Sequence, residues 1–326
     1  MNAISIISSP FQLFSLSELI KQKGIKNYVL FVLVYNDYEL LQIKNLALNL
    51  DLKIYKTIIG KKVFQYFLLR KLTRKFNDID TLIIGNFFSD PHLVFVNEIK
   101  SNKIIILDDG LNSNLILKTS NKKNYSFFKF LFIKLFGFNL DFPKSFSIFT
   151  MFDLNSSNQN VIIEKNHWYS INKNIQSFNI KNITFLIGQP FVELKILDEV
   201  FYFSLIDKLN KRFSNLLYVP SRKENDRNLN IMNKKHGINI LRTNMNVEHY
   251  LLHNKVIPKL VLGFTSTALV TLNKLFNQEK EYIDIRSIRI SKAITENNKP
   301  NFGINYSFET YYKLLDDFKI KSLKNV

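Results

Sequence analysis

Two adjacent carboxylates close the run Ile104-Ile105-Ile106-Leu107-Asp108-Asp109-Gly110. A short apolar segment of this kind reads as a buried strand, and ligands in open α/β sheets bind beyond the carboxyl ends of strands. Two acids placed there repel each other, which raises the pKa of one and equips Asp108 or Asp109 to act as a general base. The plainer reading is an acidic turn. In the second half of the chain, Gly188-Gln189-Pro190 follows the apolar run Ile183–Ile187, where a glycine lets backbone N–H groups approach a ligand. Leu216–Val219 runs into Pro220-Ser221-Arg222-Lys223-Glu224. Arg222 and Lys223 there suit a phosphate, arginine through its fork and lysine as a point charge; a solvated charge cluster is the alternative. Glu248, in Asn246-Val247-Glu248 at a helix start, is either a cap or an acceptor for both hydroxyls of a ribose. Gly263-Phe264-Thr265-Ser266-Thr267 leads from a strand into a helix, so Ser266 and Thr267 are either caps or part of an anion site.

These residues need a scaffold that brings strand ends together. The first 110 residues alternate strand-like and helix-like periods. Strands are expected at Ala3–Ser8, Tyr28–Tyr35, Leu52–Ile58, Thr81–Gly85 and Lys103–Leu107, with helices at Phe11–Lys23, Tyr38–Asn49, Val63–Phe76 and Pro91–Lys100. This alternation predicts a parallel sheet covered by helices. A second α/β pattern runs from Ile183 to Ile285. Asn155–Lys181, polar and asparagine-rich, reads as a crossover between the halves. Thr119–Thr150 holds ten Tyr and Phe residues, with five lysines against one aspartate. It is either an amphipathic helix facing an anionic membrane or a buried helical hairpin.

Composition bounds the function. With 326 residues and 46% hydrophobic content, the chain can build two cores. A formal net charge of +18 favours anionic partners, although abundant Lys, Asn, Ile and Phe also reflect an AT-rich coding bias. No apolar run approaches the roughly 18–20 residues of a membrane span. Met1-Asn2-Ala3-Ile4-Ser5 lacks the basic region of a signal peptide, so the expectation is a cytoplasmic protein, either free or peripheral at the inner face of the cytoplasmic membrane. Without cysteine there is no thiolate chemistry, and the five histidines are scattered, so no metal or other cofactor is expected. No nucleic-acid motif is evident.

The order of these segments resembles the bacterial sialyltransferases, in particular the lipooligosaccharide sialyltransferase and capsular polysialyltransferase group. The likeness runs from Ser8-Ser9-Pro10-Phe11-Gln12 to about Asp284. It implies an α/β GT-B fold of two Rossmann-like domains with an interdomain cleft. Residues 1–175 would bind the acceptor and 176–326 the donor. It also implies inverting, metal-independent transfer of a nonulosonic acid (sialic, pseudaminic or legionaminic) from a CMP donor to a lipooligosaccharide or capsule glycan. Asp108 or Asp109 would be the base. Gly188, Gln189, Pro190, Ser221, Arg222, Lys223, Glu248, Ser266 and Thr267 would hold CMP, and Ser9, Gln12 and Asn86 the acceptor. One departure stands out: the family's histidine after the strand equivalent to Leu216–Val219 is missing, and Pro220 is followed by Ser221. Ser221 with Arg222 or Lys223 would then contact the phosphate. The alternatives are a GT-B glycosyltransferase using another nucleotide sugar and a non-catalytic polyanion-binding protein.

Overall fold

Helix α1 (Pro10–Lys23) illustrates how local signals set the elements of this chain. Proline occupies its first turn, the Ser9 hydroxyl accepts the Gln12 amide at 3.3 Å, and Gly24 closes it in the left-handed region at φ 62°. The computed structural model describes residues 2–76, 79–110, 113–117, 125–168, 177–277, 282–291 and 308–323. The chain divides into two units, Met1–Tyr169 with Asn244–Asn246, and Ser170–Thr243 with Val247–Val326.

In unit 1, β1 (Asn2–Ile7) leads into α1. Then follow β2 (Asn27–Val34), α2 (Asp37–Asn49), β3 (Lys56–Ile59), α3 (Lys62–Thr73), β4 (Ile79–Ile84) and α4 (Asp90–Glu98). The unit ends with β5 (Ser101–Leu107), α5 (Ser113–Ile116), α6 (Phe127–Leu135), β6 (Phe146–Thr150) and β7 (Val161–Lys165). The seven strands are parallel, in the order β3-β2-β1-β4-β5-β6-β7. Continuous apolar runs such as Ile4, Ile6 and Ile7 are fully buried, as a sheet covered on both faces requires.

Unit 2 begins with β8 (Asn179–Ile187), α7 (Glu199–Arg212), β9 (Leu216–Val219), α8 (Asp226–His236) and β10 (Asn239–Ile240). It continues with α9 (Val247–Asn254), β11 (Val256–Gly263), α10 (Thr267–Phe276), β12 (Asp284–Ser287), α11 (Phe308–Asp317) and β13 (Lys321–Ser322). Its parallel order is β10-β9-β8-β11-β12-β13. Both sheets reverse direction once, between β1 and β4 and between β8 and β11. Chain crossovers diverge at such a point and open a crevice beyond the strand ends.

Three expectations change. Thr119–Thr150 is not a helical hairpin: its described part is the single helix α6 followed by strand β6. Phe132 and Ile133 pack into the unit 1 core, with Phe138, Phe142 and Phe146, whereas the opposite side of α6 is exposed. The polar stretch Asn155–Lys181 contains β7, which completes the sheet edge beside β6. Asparagines at its ends masked the short apolar Val161-Ile162-Ile163. The strand expected from Leu52 starts only at Lys56. Among the described residues no helix is long and apolar enough to cross a membrane.

Candidate functional site

In unit 1, the C-terminal ends of β1, β4 and β5 bring Gln12, Asn86 and Asp109 together. Gln12 donates from Nε2 to Asp109 Oδ1 at 2.6 Å, and Asn86 donates from Nδ2 to Asp109 Oδ2 at 2.8 Å. Each amide is locked in that orientation. Gln12 Oε1 accepts the Ser8 amide at 2.7 Å, and Asn86 Oδ1 accepts the Phe88 amide at 2.9 Å, so both NH₂ groups must face the carboxylate. Gly85 makes room, because a Cβ there would lie 2.2 Å from Gln12 Oε1. The buried His92 fixes the Asn86 turn by accepting its backbone N–H on Nδ1 at 3.0 Å. Burial lowers the His92 pKa to about 3, so the imidazole is neutral and remains an acceptor. Ser9 serves as the α1 cap rather than joining this cluster.

The two aspartates divide. Successive side chains alternate in direction on leaving a strand. Asp108 is fully buried and accepts the Met151 amide at 2.7 Å, whereas Asp109 is only partly buried. Asp108 has its pKa raised to about 6, opposed by Thr150, Met151 and Ser113. The expected origin of this shift, mutual repulsion of the two acids, is corrected: burial is the main cause and the Asp109 charge the least. A group enclosed to this degree cannot touch a ligand. Asp109 is therefore the more accessible of the two acids, and Asp108 ties β5 to the end of β6.

In unit 2 the loop after β8 carries Gly188, Gln189 and Pro190. A Cβ on Gly188 would lie 2.5 Å from Tyr218 Oη and 2.6 Å from Glu224 Oε2, so only glycine lets this loop close over β9. Ser266 is the α10 cap: its Oγ accepts the Ala268 amide at 3.2 Å, with Thr267 beginning the helix. That leaves the Ser266 hydroxyl proton free to donate at a terminus already rich in N–H groups. Glu248 is buried in the first turn of α9, and the Thr271 hydroxyl of α10 donates to its Oε1 at 2.5 Å. Arg222 and Lys223 project into solvent from the turn after β9. Among the described residues no three His, Asp or Glu side chains form a group that could hold a metal ion.

Sequence reasoning missed the hydrogen-bonded chain beneath this surface. Tyr202 Oη and Tyr218 Oη lie 2.8 Å apart, Tyr218 donates to Glu224, and the Ser221 amide donates to Glu224 as well. Tyr202 Oη also accepts the Gln189 amide at 3.3 Å. Glu193 accepts the Asn225 amide at 2.9 Å and Asn228 Nδ2 at 3.0 Å, tying the two loops together a second time. A signal was present: Ser221-x-x-Glu224 is the spacing at which a glutamate reaches back to a serine amide. Burial raises the Glu224 pKa to about 8, above the ordinary 4.5. The folded state thus holds a proton that the unfolded chain releases between those values. Stability should fall as pH rises through that window, by up to about 1.4 kcal/mol per pH unit. Thermal melts from pH 5 to 9 check this; Glu224→Gln should flatten the dependence, and an unchanged slope in that variant would disprove it.

No family model matches the sequence, and no curated protein matches it. Solved structures do. S. aureus MnaA, in a co-structure with UDP, aligns at 12% identity and TM-score 0.51, over 98% of this chain and 88% of its own. The Methanocaldococcus jannaschii UDP-GlcNAc 2-epimerase in complex with UDP-GlcNAc and UDP aligns at 10% identity and TM-score 0.52, over 98% and 99%. The Neisseria meningitidis UDP-GlcNAc 2-epimerase bound to UDP-GlcNAc aligns at 10% identity and TM-score 0.52, over 97% and 91%. These matches overturn the resemblance to bacterial sialyltransferases, and with it goes the ground on which a CMP-nonulosonic acid donor was expected. The reason is physical. In any doubly wound pair of sheets, ligand-facing loops follow strands, so glycine turns, strand-end acids and hydroxyl-rich helix starts recur in one order. That order reports the fold and leaves the nucleotide open. What sequence, strand order and structural likeness jointly establish is a GT-B fold built from two Rossmann-like parallel sheets.

Proposed function

We propose that this chain is a nucleotide-sugar enzyme of the glycosyltransferase type, taking a nucleoside diphosphate sugar as donor and a hydroxyl as acceptor. The observation that carries the reading is Asp109, a strand-end carboxylate held by two amides whose orientation is fixed. Asp109 takes the acceptor proton, and the acceptor oxygen bonds to the anomeric carbon. The bond from that carbon to the phosphate oxygen breaks, and the nucleoside diphosphate leaves with the electron pair. Taken by itself, unit 2 carries groups suited to a nucleoside diphosphate. The α10 terminus with Ser266 and Thr267 meets the phosphates, Arg222 and Lys223 add positive charge, and Glu248 accepts from the ribose. The Gly188-Gln189-Pro190 loop lines the nucleoside. UDP is the nucleotide bound in the S. aureus structure, which makes it the first to try.

The test is thermal stabilisation by UDP, UDP-GlcNAc, GDP and CMP, followed by product analysis. One nucleoside diphosphate should raise the melting temperature, with about 3 kcal/mol of stabilisation at a hundred times its dissociation constant. The corresponding nucleoside diphosphate sugar should then yield free nucleotide and a glycosylated acceptor when a hydroxyl acceptor is present, equally with and without EDTA. Stabilisation by none of these would remove the reading. Conversion of UDP-GlcNAc to its 2-epimer without an acceptor would replace transfer by epimerisation.

A further inference from the structure

We propose that unit 1 docks on an anionic lipid bilayer through the outer face of α6 and the adjoining start of α3. The inference is independent of the reaction assigned above. Four residues of α6 turn outward with most of their surface in water: Phe127 (73% exposed), Phe128 (82%), Leu131 (53%) and Leu135 (74%). Phe130 is exposed as well, while Ile133 on the inner side is buried. The helix thus carries large apolar side chains on two sides, one facing the core and the other facing water. Val63, Phe64 and Phe67 of α3 are also exposed. Phe67 links the two faces, its ring centroid lying 6.2 Å from Phe132 and 5.1 Å from Phe136. The patch is built rigidly. Arg70 donates to the Phe136 carbonyl at 2.6 Å and the Gly137 carbonyl at 2.7 Å, and its guanidinium lies 3.9 Å from the Phe138 ring centroid.

Charge decides the occupant. The sequence has no Asp or Glu between Leu52 and Asn77, nor between Gly110 and Leu140. Lys61, Lys71 and Lys134 are exposed on these two segments. Two of the nearby acids are engaged, Asp90 with Lys129 at 2.6 Å and Glu98 with Arg70 at 2.7 Å. Large aromatic and branched aliphatic side chains beside lysines match an interface where rings and hydrocarbon enter the acyl boundary and ammonium groups meet lipid phosphate. A second copy of the chain would bring an equally basic face against this one. A nucleic acid would leave Leu131, Leu135 and Val63 without a role.

The experiment is vesicle flotation of the full chain. Vesicles of pure phosphatidylcholine are compared with vesicles containing about one quarter phosphatidylglycerol, at low salt and at about 0.5 M salt, where exposed charges are screened. Recovery with the anionic vesicles should exceed that with neutral ones by at least about tenfold, and salt should reduce it. The double variant Phe128→Ser/Leu135→Ser should lose most of the partition, as should Lys61→Glu/Lys134→Glu, with unchanged melting temperatures. Equal recovery from both vesicle types, or full binding by the Phe128→Ser/Leu135→Ser variant, would overturn the proposal. So would a concentration-dependent dimer in light scattering that the same serine variant dissociates, since the patch would then belong to a second copy.

Discussion

Asp109→Asn should lower sugar transfer by about 10²–10⁴-fold while leaving nucleotide-induced stabilisation intact, the range for removing a positioned base. The substitution is nearly isosteric. The Gln12 and Asn86 amides that held a carboxylate at 2.6 and 2.8 Å would then face an amide, which still accepts one of them but has no proton affinity to offer. Two companions separate chemistry from folding. Asp108→Asn alters the fully buried neighbour whose oxygen accepts the Met151 amide, so its effect belongs to melting temperature first. Gln12→Glu places a second carboxylate against Asp109 and disfavours its ionised form. The acid limb of the pH–rate profile should therefore move to higher pH. Near wild-type turnover in the properly folded Asp109→Asn protein would end the assignment.

Gly188→Ala is expected to cost about 3 kcal/mol of stability, in the upper part of the range for forcing extra volume into a packed interior. The added Cβ would come within 2.6 Å of Glu224 Oε2 and 2.5 Å of Tyr218 Oη. Neither atom is the loose end of a flexible chain. Tyr218 is fully buried and hydrogen-bonded to Tyr202, and Glu224 is held by Tyr218 and the Ser221 amide. The strain must be relieved by lifting the Gly188-Gln189-Pro190 loop or by breaking the Tyr202–Tyr218–Glu224 chain. For a unit of this size the melting temperature should fall by several degrees, roughly 2–4 °C per kcal/mol. Nucleotide affinity should fall with it, because the same loop is assigned to the nucleoside. A melting curve superimposable on wild type would show that the loop is not seated as described.

The split between the two aspartates shows where sequence reading stops. Adjacent residues leaving a strand must diverge, and this is evident from the sequence. Which of the two points inward depends on the partner strand. Met151 at the end of β6 claims Asp108, and Gln12 and Asn86 claim Asp109 from 97 and 23 residues away. Glu224 teaches the same lesson. Its serine–glutamate spacing was readable, but its high pKa comes from burial beneath a loop that only the fold brings over it.

The sequence by itself determined the alternation of strand and helix in both halves, the hydroxyl-rich start of α10, and the strand ends at which Asp109, Gly188 and Ser221 sit. These follow from apolar periodicity and turn chemistry, which act over a few residues. Only the tertiary structure decided the strand order with its two reversals, the joining of Gln12 and Asn86 on Asp109, and which rings of the aromatic segment are buried. Each of these depends on crossovers that bring distant residues into contact. A helix with large apolar residues on opposite sides carries no local mark of the face its neighbours will cover.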